Sequence, residues 1–183
     1  MKDKWIGRRI AVATSVIAVM VLCGCGTVQW PPNTETRLSK EAMTMTPEEV
    51  KQEVRALYLA SRDLIGGDWI EDTDTWDWCR LPNGTGGAHY TLGSFRTGQP
   101  LPIPPDELAE KARDLWAKHG HTVTVEHDFT LTPHRYILSD PPWLTGTGPD
   151  RRLVRLSIGE NLANFIADSR CIPGDSYEIG QAH

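Results

Sequence analysis

A chain of 183 residues has room for one domain of ordinary size and not for two comfortable ones. Its 19 Lys and Arg against 24 Asp and Glu leave a formal charge of −5; with no basic run, this excludes the footprint of a nucleic-acid binder. Hydrophobic residues at 39% and charged residues at 23% describe a folded body rather than a disordered chain, and no apolar run of roughly 18 residues is present to cross a bilayer as a conventional helix.

The amino end places Lys2, Lys4, Arg8 and Arg9 against one acid, Asp3, and follows them with Ile10 to Leu22, apolar except for Thr14 and Ser15. A basic start before a short apolar run is the pattern of an export signal. Such a run is too short to span a bilayer core of about 30 Å as a stable helix. It ends in Leu22-Cys23-Gly24-Cys25-Gly26. This resembles a bacterial lipobox, in which an aliphatic residue and two small residues precede the cysteine that receives lipid. The resemblance implies that residues 1–24 are removed and that Cys25 becomes the acylated first residue. Cys23 fits less well, because Val21 and Leu22 would stand where a small residue is wanted. Arg8-Arg9 alone does not make a twin-arginine signal, so general secretion is expected. Two or three acyl chains give stable anchoring, each buried methylene adding about 0.8 kcal/mol. The expected location is therefore the extracytoplasmic face of the cell membrane, held by lipid.

Loss of the leader takes away four bases and one acid, leaving 15 bases, 23 acids and a formal charge of −8. Anionic lipid repels such a body weakly, so the acyl chains must hold it. Residues 25–45, with Gly26, Pro31-Pro32, Asn33, Thr34, Thr36 and Ser39, read as a flexible tether of about 20 residues spanning roughly 25 Å. Trp30 and Leu38 are its candidate docking points. A single domain is expected over 46–183.

Thr46-Pro47-Glu48-Glu49 opens a helix: a cap, a proline at the first helical position, and a glutamate three after the cap. Val50, Val54, Leu57, Tyr58, Ser61, Leu64 and Ile65 recur at helical spacing until Gly66-Gly67 stops the run. Residues 68–87 are rich in Asp, Trp and Gly without a clean period and read as a loop. Ala88 to Phe95 alternates as a strand, with Tyr90 and Leu92 on one face. A proline-rich turn from Gly98 leads to Pro104-Pro105-Asp106-Glu107, which opens a second helix; Leu108, Ala112, Leu115 and Trp116 share a face, and Gly120 ends it. Four strands follow, at Thr122–Val125, Arg135–Ser139, Arg152–Ile158 and Leu162–Asp168, the last two as a hairpin. The expected architecture is α+β, a two-layer sandwich with an antiparallel sheet of about five strands and two helices on one face.

Export places Cys79 and Cys171 in an oxidising compartment, where two leftover thiols pair. Closing about 93 residues would remove roughly 4–5 kcal/mol from the unfolded state in the chain-entropy model. Two unpaired buried thiols are the bland alternative. A metal site is disfavoured, since neither Cys has a second Cys or His at ligand spacing.

The lipobox, the aromatic acidic segment ending Trp78-Cys79-Arg80-Leu81-Pro82, and Ser169-Arg170-Cys171-Ile172-Pro173-Gly174 together resemble the LppA-type lipoproteins of mycobacteria. That resemblance implies a lipid-anchored two-layer α/β domain at the cell envelope and an acylated Cys25. It implies no activity.

No assembled chemistry stands out. Asp72, Asp74 and Asp77 take positions 1, 3 and 6 of a calcium loop, where position 6 should be Gly, and position 12 is Asn83 rather than Glu. His119, His121, His127 and His134 are close in sequence, but His121 and His127 on one extended strand would lie about 20 Å apart, too far for one metal ion. His119 at a helix end suits the dipole. No Gly-x-Ser-x-Gly elbow is present, Gly84-Thr85-Gly86-Gly87 has no following Lys, and Gly146-Thr147-Gly148 has no helix after it. No enzyme, metal or cofactor is implied.

Six of the seven tryptophans follow Cys25: Trp30, Trp69, Trp76, Trp78, Trp116 and Trp143. Trp116 falls on an apolar helix face. Trp76 and Trp78 sit among acids, and Trp143 follows two prolines, so these three are the candidate binding residues. Exposed indoles beside acids stack on sugar rings or anchor a protein partner; the bland alternative is that they plug the sheet or cover the bridge at Cys79. The leading expectation is a non-enzymatic envelope lipoprotein that binds an envelope protein or glycan. An envelope hydrolase and a purely structural antigen are the alternatives.

Overall fold

A computed structural model describes residues 44–182 apart from residue 131. The leader, Cys25, Trp30 and the tether up to residue 43 lie outside the described residues.

Helix α1 (Pro47–Ile65) begins with the expected box: the Glu49 N–H donates to the Thr46 hydroxyl at 3.3 Å, and the Thr46 N–H donates to the Glu49 carboxylate at 2.8 Å. The bond from the Thr46 N–H, with a second from its hydroxyl, holds the Glu49 carboxyl below its ordinary range. Val50, Val54, Leu57, Tyr58, Ser61 and Ile65 form its buried face, and Gly66 ends it at φ +70°, a conformation that disfavours a side chain. Helix α2 (Pro105–Lys118) buries Leu108, Ala109, Ala112 and Trp116. The Trp116 indole N–H donates to the Ser61 hydroxyl at 2.8 Å, and Ser61 in turn donates to the Leu57 carbonyl. The two helices are thereby joined through a dry polar contact that leaves no buried donor orphaned.

Six strands form one antiparallel sheet: β1 (Trp69–Arg80), β2 (Gly86–Thr97), β3 (Thr124–Asp128), β4 (Arg135–Asp140), β5 (Leu153–Gly159) and β6 (Leu162–Asp168), ordered β1-β2-β6-β5-β4-β3. The α+β sandwich is as expected, with one strand and one helix more. The segment read as a loop is the 12-residue β1, paired along its length with β2. The additional helix is the short α3 (Ser176–Ala182), packed on β1. Tyr90, Leu92, Leu138, Leu156 and Phe165 fill the core beneath α1 and α2, and Tyr58 and Trp116 meet Phe165 at ring separations of 5.4 and 6.1 Å.

Cys79 and Cys171 are bridged, with Cα atoms 6.0 Å apart. The bridge ties the end of β1 to the strand-like segment after β6, where Ala88 and Ile172 exchange backbone bonds of 2.9 Å. Gly87 allows this approach, because a Cβ there would lie 2.5 Å from the Ile172 carbonyl oxygen. At the far end of β2, Arg96 is nearly enclosed, at 4% exposure, and donates to the carbonyls of Gly66, Gln99 and Pro100. A buried cation at the carboxyl end of α1 complements the helix dipole.

Candidate functional site

The three candidate tryptophans do not share a surface. Trp76 is buried, at 8% exposure; its ring lies 5.6 Å from Tyr90, and Gly180 of α3 covers it. It belongs to the core, as the reading of a ring that plugs the sheet has it, and not to an exposed binding surface. The cause is α3, which the sequence reading lacked: a helix laid on β1 converts an edge-strand indole into a packed one. Trp78 is 61% exposed with Arg80 over its ring at 5.7 Å. Trp143 is half-buried on the other side of the sheet, with Arg155 of β5 over its ring at 4.7 Å. Since adjacent strands lie about 4.8 Å apart, roughly 20 Å separates the two flanks.

A groove of about 300 Å³ runs beside Trp143. Its floor is Ile137 of β4, its walls are Trp143 and Leu144 from the β4–β5 connection, and its far side is Glu126, His127, Asp128, Phe129 and Thr130 of β3 and the turn after it. Alternation along β3 and β4 explains Glu126, Asp128 and Ile137: Glu126 and Ile137 are register partners and point away from the helices. His127 points to the other face, where its ring stacks between Tyr136 at 4.1 Å and Phe129 at 3.7 Å. Phe129 is 63% exposed and Leu144 is 82% exposed. Two such apolar side chains flanking one concavity are the pattern of an interaction surface.

The groove carries two carboxylates with different surroundings. Asp128 accepts from the Thr130 hydroxyl and N–H and from Arg135 at 3.0 Å, and these bonds, Thr130's first, hold its carboxyl below the ordinary range. Glu126 is exposed and has no hydrogen-bond or ion-pair partner among the described residues.

A second polar cluster lies under α1. His121 Nδ1 and Asp140 Oδ2 are 2.9 Å apart, Arg152 reaches the same carboxylate oxygen at 3.3 Å and Glu53 at 3.6 Å, and Arg170 grips Glu53 at 2.8 and 3.1 Å. Burial would raise the Asp140 carboxyl, but the His121 bond and the Arg152 charge outweigh it and hold the group low. The cavity lined by His121, Arg152, Ser169 and Arg170 measures about 10 Å³, space for about one water. Ser169 is committed on both sides: it accepts from the Tyr90 N–H at 2.9 Å and donates to the Arg170 carbonyl at 3.0 Å. The cluster fastens the layers to one another.

The other candidate groups are dispersed. His119 caps α2, and His134 meets His127 at 6.2 Å. Of the acidic run, Glu71 and Asp74 are paired with Arg55 of α1, and Lys51 stands 3.9 Å from Asp74. Asn83 accepts from the Thr85 N–H and hydroxyl, closing the β1–β2 turn. The groove residues Glu126, Phe129 and Leu144 were not singled out from the sequence. The only signal there is two large apolar residues standing among polar loop residues.

No protein-family model matches the chain, and no curated protein matches it. A crystal structure of a DUF4853 family protein from Actinomyces odontolyticus, at 2.65 Å resolution, is similar over 78% of this chain and 70% of that one, with 15% identity and a TM-score of 0.42.

Proposed function

We propose that the chain is a lipid-anchored protein of the cell envelope, acylated on Cys25, whose folded head is a non-enzymatic binding module for an envelope protein or glycan. The groove between β3 and the β4–β5 connection carries the binding reading: it is open, about 300 Å³ in volume, and flanked by Trp143, Phe129 and Leu144. The anchoring reading is supported by the basic start, the apolar run and the box ending at Cys25, and by the likeness of these and the cysteine segments to LppA-type lipoproteins. Trp143 supplies an aromatic edge for either ligand class. Trp78 is set aside as a separate exposed ring on the opposite flank.

Intact-mass measurement of the protein from envelope fractions tests the anchor. The expected product begins at Cys25 with added acyl mass, and Cys25→Ser releases the head from the membrane fraction. An uncleaved leader, or a trimmed one without fatty chains, refutes it. For the binding reading, Trp143→Ala and Phe129→Ser are compared with the parent in capture from envelope extracts. Folded variants that capture the same molecules as the parent remove the groove from the function.

A further inference from the structure

Resting on that reading, we infer that the open edge of β3, beside the groove, takes an extended, basic polypeptide segment, paired along it as a seventh strand. Three independent features of one place support this. First, β3 is the last strand of the sheet, and no backbone hydrogen bond joins its outer edge to another segment among the described residues. An open edge of this kind is a template for main-chain pairing. Second, the ionisable side chains of β3 on the groove face are Glu126 and Asp128, the His127 ring lying on the other face. Asp128 is already neutralised by Arg135 at 3.0 Å, while Glu126 has no partner among the described residues. Arg155 of β5 is engaged over the Trp143 ring at 4.7 Å, two strands in from the edge, so the unmatched charge at the β3 edge itself is negative, and the complementary ligand group there is a Lys or Arg. Third, apolar surface lies on the same face as that carboxylate, in Ile137 and Leu144.

Strand geometry brings these together. A residue directly opposite Glu126 on an added strand has its Cβ about 5 Å from that of Glu126, within reach of an ion pair. Residues two apart in the ligand point to the same face, so the neighbours of the basic residue lie on the groove face, just outside β3. The five residues of β3 set the length of the pairing segment. A neutral sugar would use the aromatic wall but would leave the Glu126 charge unmatched and the strand edge unused.

The test uses the full chain in detergent micelles and three probes: an acetylated, amidated Lys-Val-Lys-Val-Lys peptide, its Glu-Val-Glu-Val-Glu counterpart, and chitotetraose. Isothermal titration reads affinity, and amide hydrogen exchange reads the position. The expected result is that the Lys peptide binds at least about tenfold more tightly than the Glu peptide, with the preference lost in Glu126→Gln and reversed in Glu126→Lys. Protection should rise at Thr124–Asp128. Glu126 is exposed, so both variants fold. An affinity for the Lys peptide that Glu126→Lys leaves unchanged, or protection confined to other strands, overturns the inference. Binding of chitotetraose alone also overturns it but leaves the groove as a binding site. If no probe binds and the Trp143 and Phe129 variants capture envelope molecules normally, both the inference and the reading beneath it fail.

Discussion

The two flanks of the sheet are fastened to the rest of the molecule by different chemistry. On the β1 flank the tie is covalent. Cys79–Cys171 joins the end of β1 to the segment after β6, while Arg55 and Lys51 of α1 neutralise Glu71 and Asp74. On the β3 flank the tie is ionic. His121 just before β3, Asp140 at the end of β4 and Arg152 just before β5 are linked through Glu53 to α1. The edges differ in the same sense. β1 carries Glu71, Asp72, Asp74 and Asp77 and a register shift between Glu71 and Thr73, the devices that discourage edge pairing. β3 keeps an unbroken register with β4 and has one carboxylate free beside an apolar groove. One flank is built to stay closed and the other presents an edge.

Breaking the covalent tie should have the largest effect. Replacing Cys79 and Cys171 by Ser restores to the unfolded chain the freedom of a loop closed over a separation of 92 residues, about 4–5 kcal/mol in the chain-entropy model. Urea unfolding of oxidised parent and double variant measures this. Amides of Ala88 and Ile172 should exchange faster in the folded variant, while those of β3 and β4 keep their ranking. A midpoint shift worth less than about 1 kcal/mol would show that the bridge does not hold the β1 flank.

The ionic tie comes next. Asp140→Ala leaves His121 and Arg152 without their shared acceptor and should cost about 1–3 kcal/mol, between an exposed and a buried pair. Acid should loosen the same flank. The Asp140 carboxyl is held low in the folded state, whereas in the unfolded chain an aspartate titrates near ~3.9. The unfolded state therefore takes up its proton first as pH falls. The stabilisation is complete above that value and is lost as the pH drops through the folded one. Glu49, Asp74 and Asp128 are also held low, so the informative quantity is the difference between parent and Asp140→Asn. The variant should show a shallower loss of stability between pH 5 and pH 2, by about the range over which such carboxylates titrate. Identical acid slopes would remove Asp140 from the fastening.

The same contrast explains what the sequence disclosed. α1, α2, β5 and β6 were legible to within about a residue, because each has a clean period and an end signal. β1 was not. Its acids are poor strand formers, the register shift at Glu71/Thr73 breaks the alternation, and its partners on α1 are distant in sequence. The alternation at 122–125 points to a strand there, but β3 forms at Thr124–Asp128, since the Thr122 N–H is taken by Asp140. α3 had a usable signal: Asp175 accepts from the N–H groups of Tyr177 and Glu178, the start pattern of a capped helix. The candidate groove had no such signal. It depends on β3 and β4 standing in register beside a connection that returns over the sheet, and no local pattern encodes that return.

The smallest effect is expected at the exposed ring of the closed flank. Trp78 lies across Gly86, where a Cβ would come 3.1 Å from its indole nitrogen, and its ring partner is Arg80 at 5.7 Å. An exposed contact of that kind contributes about 0.5–1 kcal/mol, so Trp78→Ala should move the urea midpoint by no more than this. Trp76→Ala, two residues away on the same face but under α3, should cost about 3–5 kcal/mol as a buried aromatic does. The pair measures what cover by α3 and Tyr90 together contributes, because both indoles sit on one strand with similar neighbours in sequence. If the two substitutions cost the same, α3 does not cover Trp76 in solution. The β1 flank would then expose a second aromatic surface, and its contrast with the β3 edge would disappear.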